Sequence, residues 1–250
     1  MNVLNRPAIK KEASAFIKAD NKWLKMFLPC LIIYLLSGNL SSLLELNDYF
    51  HVFDSNVVSI IQMAFNGAFV ISIFLFPFAI AIGGYYLNFI RGFNPACGSL
   101  YSEGAHNYGK YFVTQLLSDI YIILWTLLFI VPGIIKSYSY SQIRYIIHDN
   151  PNLTASQAIQ MSKIMTKDFK SDLFIMHLSF FFWYMLSGLT FGLALFYVIP
   201  YVETTNAMFY ENLKRFSIDS KRISPEAFGM MPVDADNSFN NSPENPEEAF

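Results

Sequence analysis

The sequence predicts an all-α, polytopic membrane helix bundle with about six transmembrane helices, and three observations support this class. Residues Ser55–Ile90 and Leu173–Val202 contain no Asp, Glu, Lys or Arg, and Tyr111–Ile135 contains only Asp119. Hydrophobic residues make up 54% of the chain and charged residues 14%, against about 45–50% and 25% in soluble domains. A helix crosses a bilayer with about 20 apolar residues. The alternative is a soluble all-α protein, but its buried helices rarely run so far without a charge.

The first element, residues 1–23, is predicted to be a basic amphipathic helix at a membrane surface. Apolar residues recur there at helical spacing, from Ile9 through Ala13 to Ile17, and Trp23 stands where an aromatic anchor belongs. The basic residues between them argue against a cleavable signal peptide. A solvated run of charges is the alternative for this segment.

The transmembrane domain is predicted to cover residues 24–213. Segment one runs from about Leu24 to Leu44, and segment two lies within about Met63–Ile90. Segment two contains Pro77 and the pair Gly83–Gly84, which predict a kink or a close helix contact.

Segments three and four are predicted to be joined by a tight turn. Segment three runs from about Tyr111 to Val131, and Pro132–Gly133 is a strong turn signal after it. Segment four, about Ile134–Ile147, is short and amphipathic. We expect it to span the membrane, with an interfacial helix as the alternative.

The uncharged stretch after Leu173 is too long for one straight span. Thirty helical residues would measure roughly 45 Å, well above the ~30 Å hydrocarbon core. Ser187, Gly188 and Gly192 near its middle therefore divide it into segment five, about Leu173–Leu189, and segment six, about Phe191–Leu213, with a kink at Pro200. One long tilted helix is the alternative.

Charge predicts the orientation, because loops on the cytoplasmic side are enriched in Lys and Arg. The connection Glu45–Asn56 has acidic residues and no basic ones, whereas the N-terminus, the connection Asp149–Asp172 and the residues after Leu213 carry several Lys or Arg. Both termini are therefore expected inside the cell. The Pro-rich residues 214–250 are predicted to be a disordered, acidic cytoplasmic tail.

Two local patterns stand out in the connections. Thr154 and Gln157 form a capping box that predicts a short helix after Pro151. The sequence Arg91–Pro95 after segment two is echoed by His148–Pro151 after segment four, which a duplication or chance would produce.

Ionisable and polar groups at membrane depth define the candidate site, because a charge at the bilayer centre is costly. They are Asp119, Arg144, Glu203 and Asn206. Asp119 is expected to face the bundle, to pair with a cation such as Arg144, or to be protonated. A proton or cation site is the functional interpretation, and a polar contact between helices is the structural one.

Recognisable chemistry is missing from the sequence, so no catalytic residue, cofactor or metal ligand is predicted. The four histidines are scattered, and no H-E-x-x-H, G-x-S-x-G or P-loop motif occurs. The net charge of −2 gives no reason to expect nucleic acid binding. Cys30 and Cys97 are interpreted as small apolar residues.

A set of residues in the second half of the chain forms a familiar pattern: Val131–Lys136, Tyr138, Tyr140, Asp149–Ala158, Ser162, Met165, Leu173–Phe174, Leu178–Phe180, Trp183, Leu189–Gly192, Pro200–Tyr201, Thr205, Ala207, Phe209–Tyr210 and Leu213. With this pattern the chain resembles an uncharacterised family of integral membrane proteins from Gram-positive bacteria, domain of unknown function 975, and the resemblance is specific in the second half. The resemblance covers roughly residues 5 to 214. It implies a six-helix bundle in a bacterial plasma membrane and brings no activity.

The sequence therefore predicts a non-enzymatic membrane protein that acts as a scaffold, a partner-binding protein or a stress or immunity protein. A small transporter or permease that uses Asp119 and Glu203 is the alternative. The expected partners are the lipid bilayer and either another membrane protein or a second copy of the chain.

Overall fold

The computed structural model describes residues 5–19, 23–28, 75–190 and 192–230. Regular structure within these ranges is helical and contains no strand, which confirms the all-α class. Most of segment one, the first part of segment two, the connection between them and the tail after residue 230 lie outside the described residues.

From Phe78 onward, the helices follow one another with short connections. Their bounds are α1 Arg6–Lys18, α2 Phe78–Ile90, α3 Cys97–His106, α4 Tyr108–Leu128, α5 Ile130–Tyr140, α6 Ile143–Asp149, α7 Ala155–Thr166, α8 Lys170–Leu189 and α9 Leu195–Asp219, and a 3-10 helix, Pro225–Phe228, comes after them. One order occurs twice: a helix, a loop containing Asn-Pro, a short helix and a long apolar helix. This order fits the echo between Arg91–Pro95 and His148–Pro151.

Helix α1 packs along the bundle rather than across its end. Its apolar residues Ile9, Ala13 and Ile17 are buried, and α1 packs mainly against α9. Polar side chains of α1 also contact α8 at two positions along its length. Arg6 pairs with Asp172 at 3.4 Å, and the Lys10 ammonium donates to the Ser179 hydroxyl at 2.7 Å. The predicted position of this helix at a membrane surface stays a prediction.

Helices α4 and α5 form a tight antiparallel hairpin whose break differs from the predicted one. The chain turns at Phe129, which has extended backbone angles, and α5 already contains Pro132 in its first turn. Proline is tolerated there because its missing N–H would have no helical partner. Gly133 supplies the close approach, since a Cβ at this position would overlap Thr126 of α4.

Predicted segment four is divided into two helices in the structure. Helix α5 ends at Tyr140, and α6 begins at Ile143 after a turn at Ser141 and Gln142. Helix α6 packs mainly against α2, where Gly83 and Gly84 lie against its side chains. The predicted close helix contact at the glycine pair is thereby confirmed.

Two further local predictions are confirmed. Thr154 caps α7, with its hydroxyl accepting from the Gln157 N–H and the Gln157 side chain accepting from the Thr154 N–H. The long uncharged stretch is two helices, α8 and α9, and Gly192 between them has a φ of +85° that favours glycine. Pro200 lies inside α9.

The C-terminal boundary of the fold lies later than predicted. Helix α9 continues to Asp219, and the segment 223–230, here named the C-terminal strap, docks on the helices. Phe228 is 2% exposed, and the Asn150 side-chain amide donates to the Ala227 carbonyl at 3.1 Å. Residues 214–230 are therefore not a disordered tail, because Ile223 and Phe228 supply the apolar surface that orders them.

Helices α4 and α8 are long and apolar enough to cross a membrane, and they are the two such helices in the described part of the chain. Only 17% of the apolar stretch of α4 and 22% of that of α8 is buried. A core helix of a soluble protein would be mostly buried. Large apolar side chains are instead exposed near the far ends of these helices, including Leu127, Phe129 and Leu189.

Candidate functional site

The predicted candidate site is partly assembled around Arg144 and Glu203. Arg144 on α6 and Glu203 on α9 form an ion pair, with 2.9 Å between Nη2 and Oε2. Arg144 also donates to the Tyr145 hydroxyl at 2.8 Å. Gly83 on α2 makes room for the Arg144 stem, because a Cβ there would lie 2.9 Å from it.

Asn206 lies one turn beyond Glu203 on α9 and faces the same group. Its side-chain oxygen is buried and has no hydrogen-bond partner among the residues that the structure describes, and His177 of α8 lies close to its side chain. His177 uses Nδ1 on the Leu173 carbonyl at 2.9 Å. We name Arg144, His177, Glu203 and Asn206 the Arg144 cluster.

Asp119 does not join the Arg144 cluster, so its predicted pairing with Arg144 is wrong. Its carboxylate accepts from the Gln115 side-chain amide, one turn earlier on α4, at 3.2 and 3.3 Å. The physical reason is packing: α4 packs mainly against α5, whereas α6 lies against α2 and carries Arg144 towards Glu203.

A second polar group, centred on Asp149, was missed by the sequence reasoning. Arg91 donates to both Asp149 oxygens at 2.7 and 3.0 Å, the Tyr210 hydroxyl donates at 2.8 Å and the Lys214 ammonium at 2.5 Å. Arg91 also donates to Glu211 at 2.6 Å. We name these five residues the Asp149 cluster. It joins the end of α2, the end of α6 and the last turns of α9.

The centre of the Asp149 cluster is buried. The Asp149 side chain is 2% exposed and that of Lys214 is 6% exposed. Burial alone would raise the pKa of Asp149, but hydrogen bonds and charge from Arg91 and Lys214 outweigh it and hold the pKa below its ordinary value. Three of the four donated hydrogen bonds go to Oδ2 and one goes to Oδ1, so the carboxylate is held by two cations and one hydroxyl.

A smaller polar group continues from the Asp149 cluster along α6. His148 Nδ1 lies 2.7 Å from Glu103 of α3, and the Tyr111 hydroxyl of α4 donates to the same carboxylate oxygen at 2.7 Å. Burial opposes ionisation of Glu103, but the contact with His148 prevails and lowers its pKa. Gly84 of α2 makes this approach possible, since a Cβ there would overlap the His148 ring.

One sequence signal pointed to these residues. Arg91 and Asp149 begin the two echoing loops, and His148 stands beside Asp149. The echo between the two loops was interpreted as a duplication or as chance, but its charged residues Arg91 and Asp149 are in contact in the fold. In the described ranges, no group of three or more His, Cys, Asp or Glu side chains is placed to hold a metal ion.

Residues 127–217 match the family described as protein of unknown function (DUF975). This match confirms, for these residues, the resemblance predicted from the sequence. It begins at the hairpin between α4 and α5 and ends in α9, so it includes Arg144, Asp149 and Glu203. The family description gives no activity. No curated protein and no solved structure matches the chain.

Proposed function

We propose that the protein is a multi-pass membrane protein that acts without catalysis, as a scaffold or partner-binding protein in the cell membrane. The observation that carries this proposal is the inverted distribution of polarity around α4 and α8. Their apolar side chains are largely exposed, as in Leu127 and Phe182, whereas Asp149 and Lys214 are buried. Lipid is the solvent that makes such an exposed apolar surface stable.

The Asp149 cluster supports the predicted orientation. Arg91 follows segment two, Asp149 follows segment four and Lys214 follows segment six. Each therefore comes after an even number of predicted spans, and their contacts fit one common, cytoplasmic end of the bundle. The opposite ends of α4 and α8 carry exposed apolar residues such as Leu128 and Leu189. Both termini are inside in this proposal, and the number of spans is six.

Membrane location and orientation can be tested together. Reporter enzymes that are active only in the cytoplasm are fused at Asn47, Asn107, Asn152 and Ser242. We expect activity at the last three positions and none at Asn47, with the chain retained in membranes after an alkaline wash. Activity at all four positions, with release by the wash, would contradict the proposal.

Scaffolding rather than catalysis is supported by the burial of the Asp149 carboxylate, which is 2% exposed and already bound by Arg91, Tyr210 and Lys214. In a deletion strain with a measurable defect, we expect Glu203→Gln and Asn206→Ala to restore growth like the wild type. Phe182→Ala, which stays apolar but changes an exposed surface of α8, is expected to restore it poorly at equal protein abundance.

A transporter is the second candidate, and one observation favours it. The Asn206 side-chain oxygen is buried without a partner beside the Arg144–Glu203 pair, which is an arrangement that a polar solute or a cation could complete. If the protein is a transporter, the opposite outcome is expected in the deletion strain. Glu203→Gln and Asn206→Ala do not restore growth, and Phe182→Ala does.

A further inference from the structure

A groove with a volume of about 430 Å³ lies between α5 and α8. This is within the ~300–1,000 Å³ range of small-molecule sites. One wall is a single helical face of α5, because its members are spaced by three, four and seven residues. The lining residues in the described part of the chain are Val131, Ile134, Ile135, Tyr138, Lys170, Ser171 and Phe174.

The polar residues of this groove are the first two residues of α8. Lys170 and Ser171 therefore stand at the boundary of a candidate span, while the other lining residues are apolar or aromatic. A lysine at such a boundary extends its ammonium towards the headgroups and leaves its stem in apolar surroundings.

Charge around Lys170 favours an anion. The carboxylates on either side of it in sequence are engaged elsewhere: Asp168 pairs with Arg222 at 2.6 Å and Asp172 with Arg6 at 3.4 Å. Lys170 itself has no carboxylate within ion-pair distance in the part of the chain that the structure describes. Phe169 at the helix start provides no capping acceptor, so the positive end of the α8 dipole adds to the lysine charge.

We propose that this groove binds an anionic glycerophospholipid, with one acyl chain along the α5 face and the phosphate at Lys170 and Ser171. The inference rests on the proposed membrane location. Lys167, exposed just before α8, adds to the positive charge at the same boundary. An apolar wall that ends in a cation matches the two parts of such a lipid, and a free phosphate ion would use only one of them.

The test uses the full chain purified in detergent and native mass spectrometry. Phosphatidylglycerol and phosphatidylcholine with identical acyl chains are added in separate titrations. We expect the wild type to retain phosphatidylglycerol preferentially, and Lys170→Gln to lose about fivefold of that preference, the factor for one lysine near an anionic surface. Ile134→Trp, which fills the groove, is expected to weaken both lipids.

Lys110→Gln is the matched control, because Lys110 stands near the start of α4 as Lys170 does at the start of α8, and it does not line the groove. It is expected to keep the wild-type preference, and inorganic phosphate is expected not to displace the lipid. The proposal is overturned if Lys170→Gln keeps the preference, if Lys110→Gln loses as much, or if another segment or copy of the chain fills the groove. Insertion of the chain into liposomes is measured separately, so failure of the membrane location is distinguished from failure of this site.

Discussion

The two polar clusters of this protein differ in how fully their charges are satisfied. In the Asp149 cluster one carboxylate accepts four hydrogen bonds from three side chains and is almost fully buried. In the Arg144 cluster one ion pair has side chains that are 23% and 21% exposed, and the Asn206 oxygen next to it is unpartnered. The Asp149 cluster therefore joins the ends of three helices through a buried carboxylate, whereas the Arg144 cluster leaves a buried polar atom without a partner among the described residues.

The largest effect is expected from Asp149→Asn. The substitution removes the carboxylate that pairs with the buried Lys214 and leaves Arg91 with Glu211 as its carboxylate partner, which costs about 3–5 kcal/mol of unfolding free energy. Unfolding in mixed micelles measures the loss. Glu211→Gln is the control at the more exposed side of the same cluster, where we expect about 1 kcal/mol or less. Equal losses of unfolding free energy for both variants would contradict the expectation that Asp149 contributes more stability than the more exposed Glu211.

The stability difference between the wild type and Asp149→Asn is expected to depend on pH. The folded pKa of Asp149 lies below its ordinary value, so its contribution to stability is complete above about pH 3.9. It is lost as the pH falls through the lower folded pKa. The gap in unfolding free energy between wild type and Asp149→Asn is therefore expected to be constant from about pH 7 to 5 and to close in stronger acid. A gap that closes near neutral pH would contradict this sign.

The next largest loss of stability is expected from a substitution in the C-terminal strap. Phe228 is 2% exposed, and its ring centroid lies 5.0 Å from the Lys214 ammonium. Phe228→Ala is expected to cost about 3 kcal/mol, the low end for a buried phenylalanine, because the strap can release locally. Faster hydrogen exchange in residues 223–230 measures it. Glu226→Gln on the exposed side of the strap is expected to leave exchange unchanged, and equal exchange in both variants would show that Phe228 does not hold the strap.

A smaller effect is expected in the Arg144 cluster. A double-mutant cycle with Arg144→Gln and Glu203→Gln should give a coupling energy of about 1 kcal/mol, because both side chains are partly exposed. The cycle is measured by unfolding under the same conditions as for Asp149→Asn. A coupling as large as the loss from Asp149→Asn would abolish the distinction between the two clusters.

The smallest effect is expected from Asp119→Asn. The partner of Asp119 is the neutral Gln115 on the same helix, and such a pair contributes less than about 0.5 kcal/mol. Thermal unfolding at neutral pH measures it. A loss above 2 kcal/mol would indicate a cationic partner and would restore the pairing that the sequence suggested.

Local rules predicted the parts of the fold that depend on neighbouring residues. The Thr154 cap, the division of the long uncharged stretch and the contact at Gly83–Gly84 follow from short-range geometry. The break at Phe129 was missed because Pro132 is equally compatible with a turn and with the first turn of a helix.

Long-range pairings could not be read from the sequence. Arg91 and Asp149 are 58 positions apart, and Lys214 is a further 65 beyond Asp149. Several cations were available to each carboxylate, and helix packing decides among them. Of the four predicted site residues, Arg144 therefore pairs with Glu203, whereas Asp119 contacts Gln115 on its own helix.

The position of Lys214 has a consequence for biosynthesis. The ribosome delivers Arg91 and Asp149 well before Lys214, and Phe228 emerges last of these four. A nascent or truncated chain that stops before Lys214 thus holds Asp149 with a single cation and without the C-terminal strap. Such a chain is therefore expected to be less stable and easier to proteolyse than one that includes the last turns of α9 and the strap.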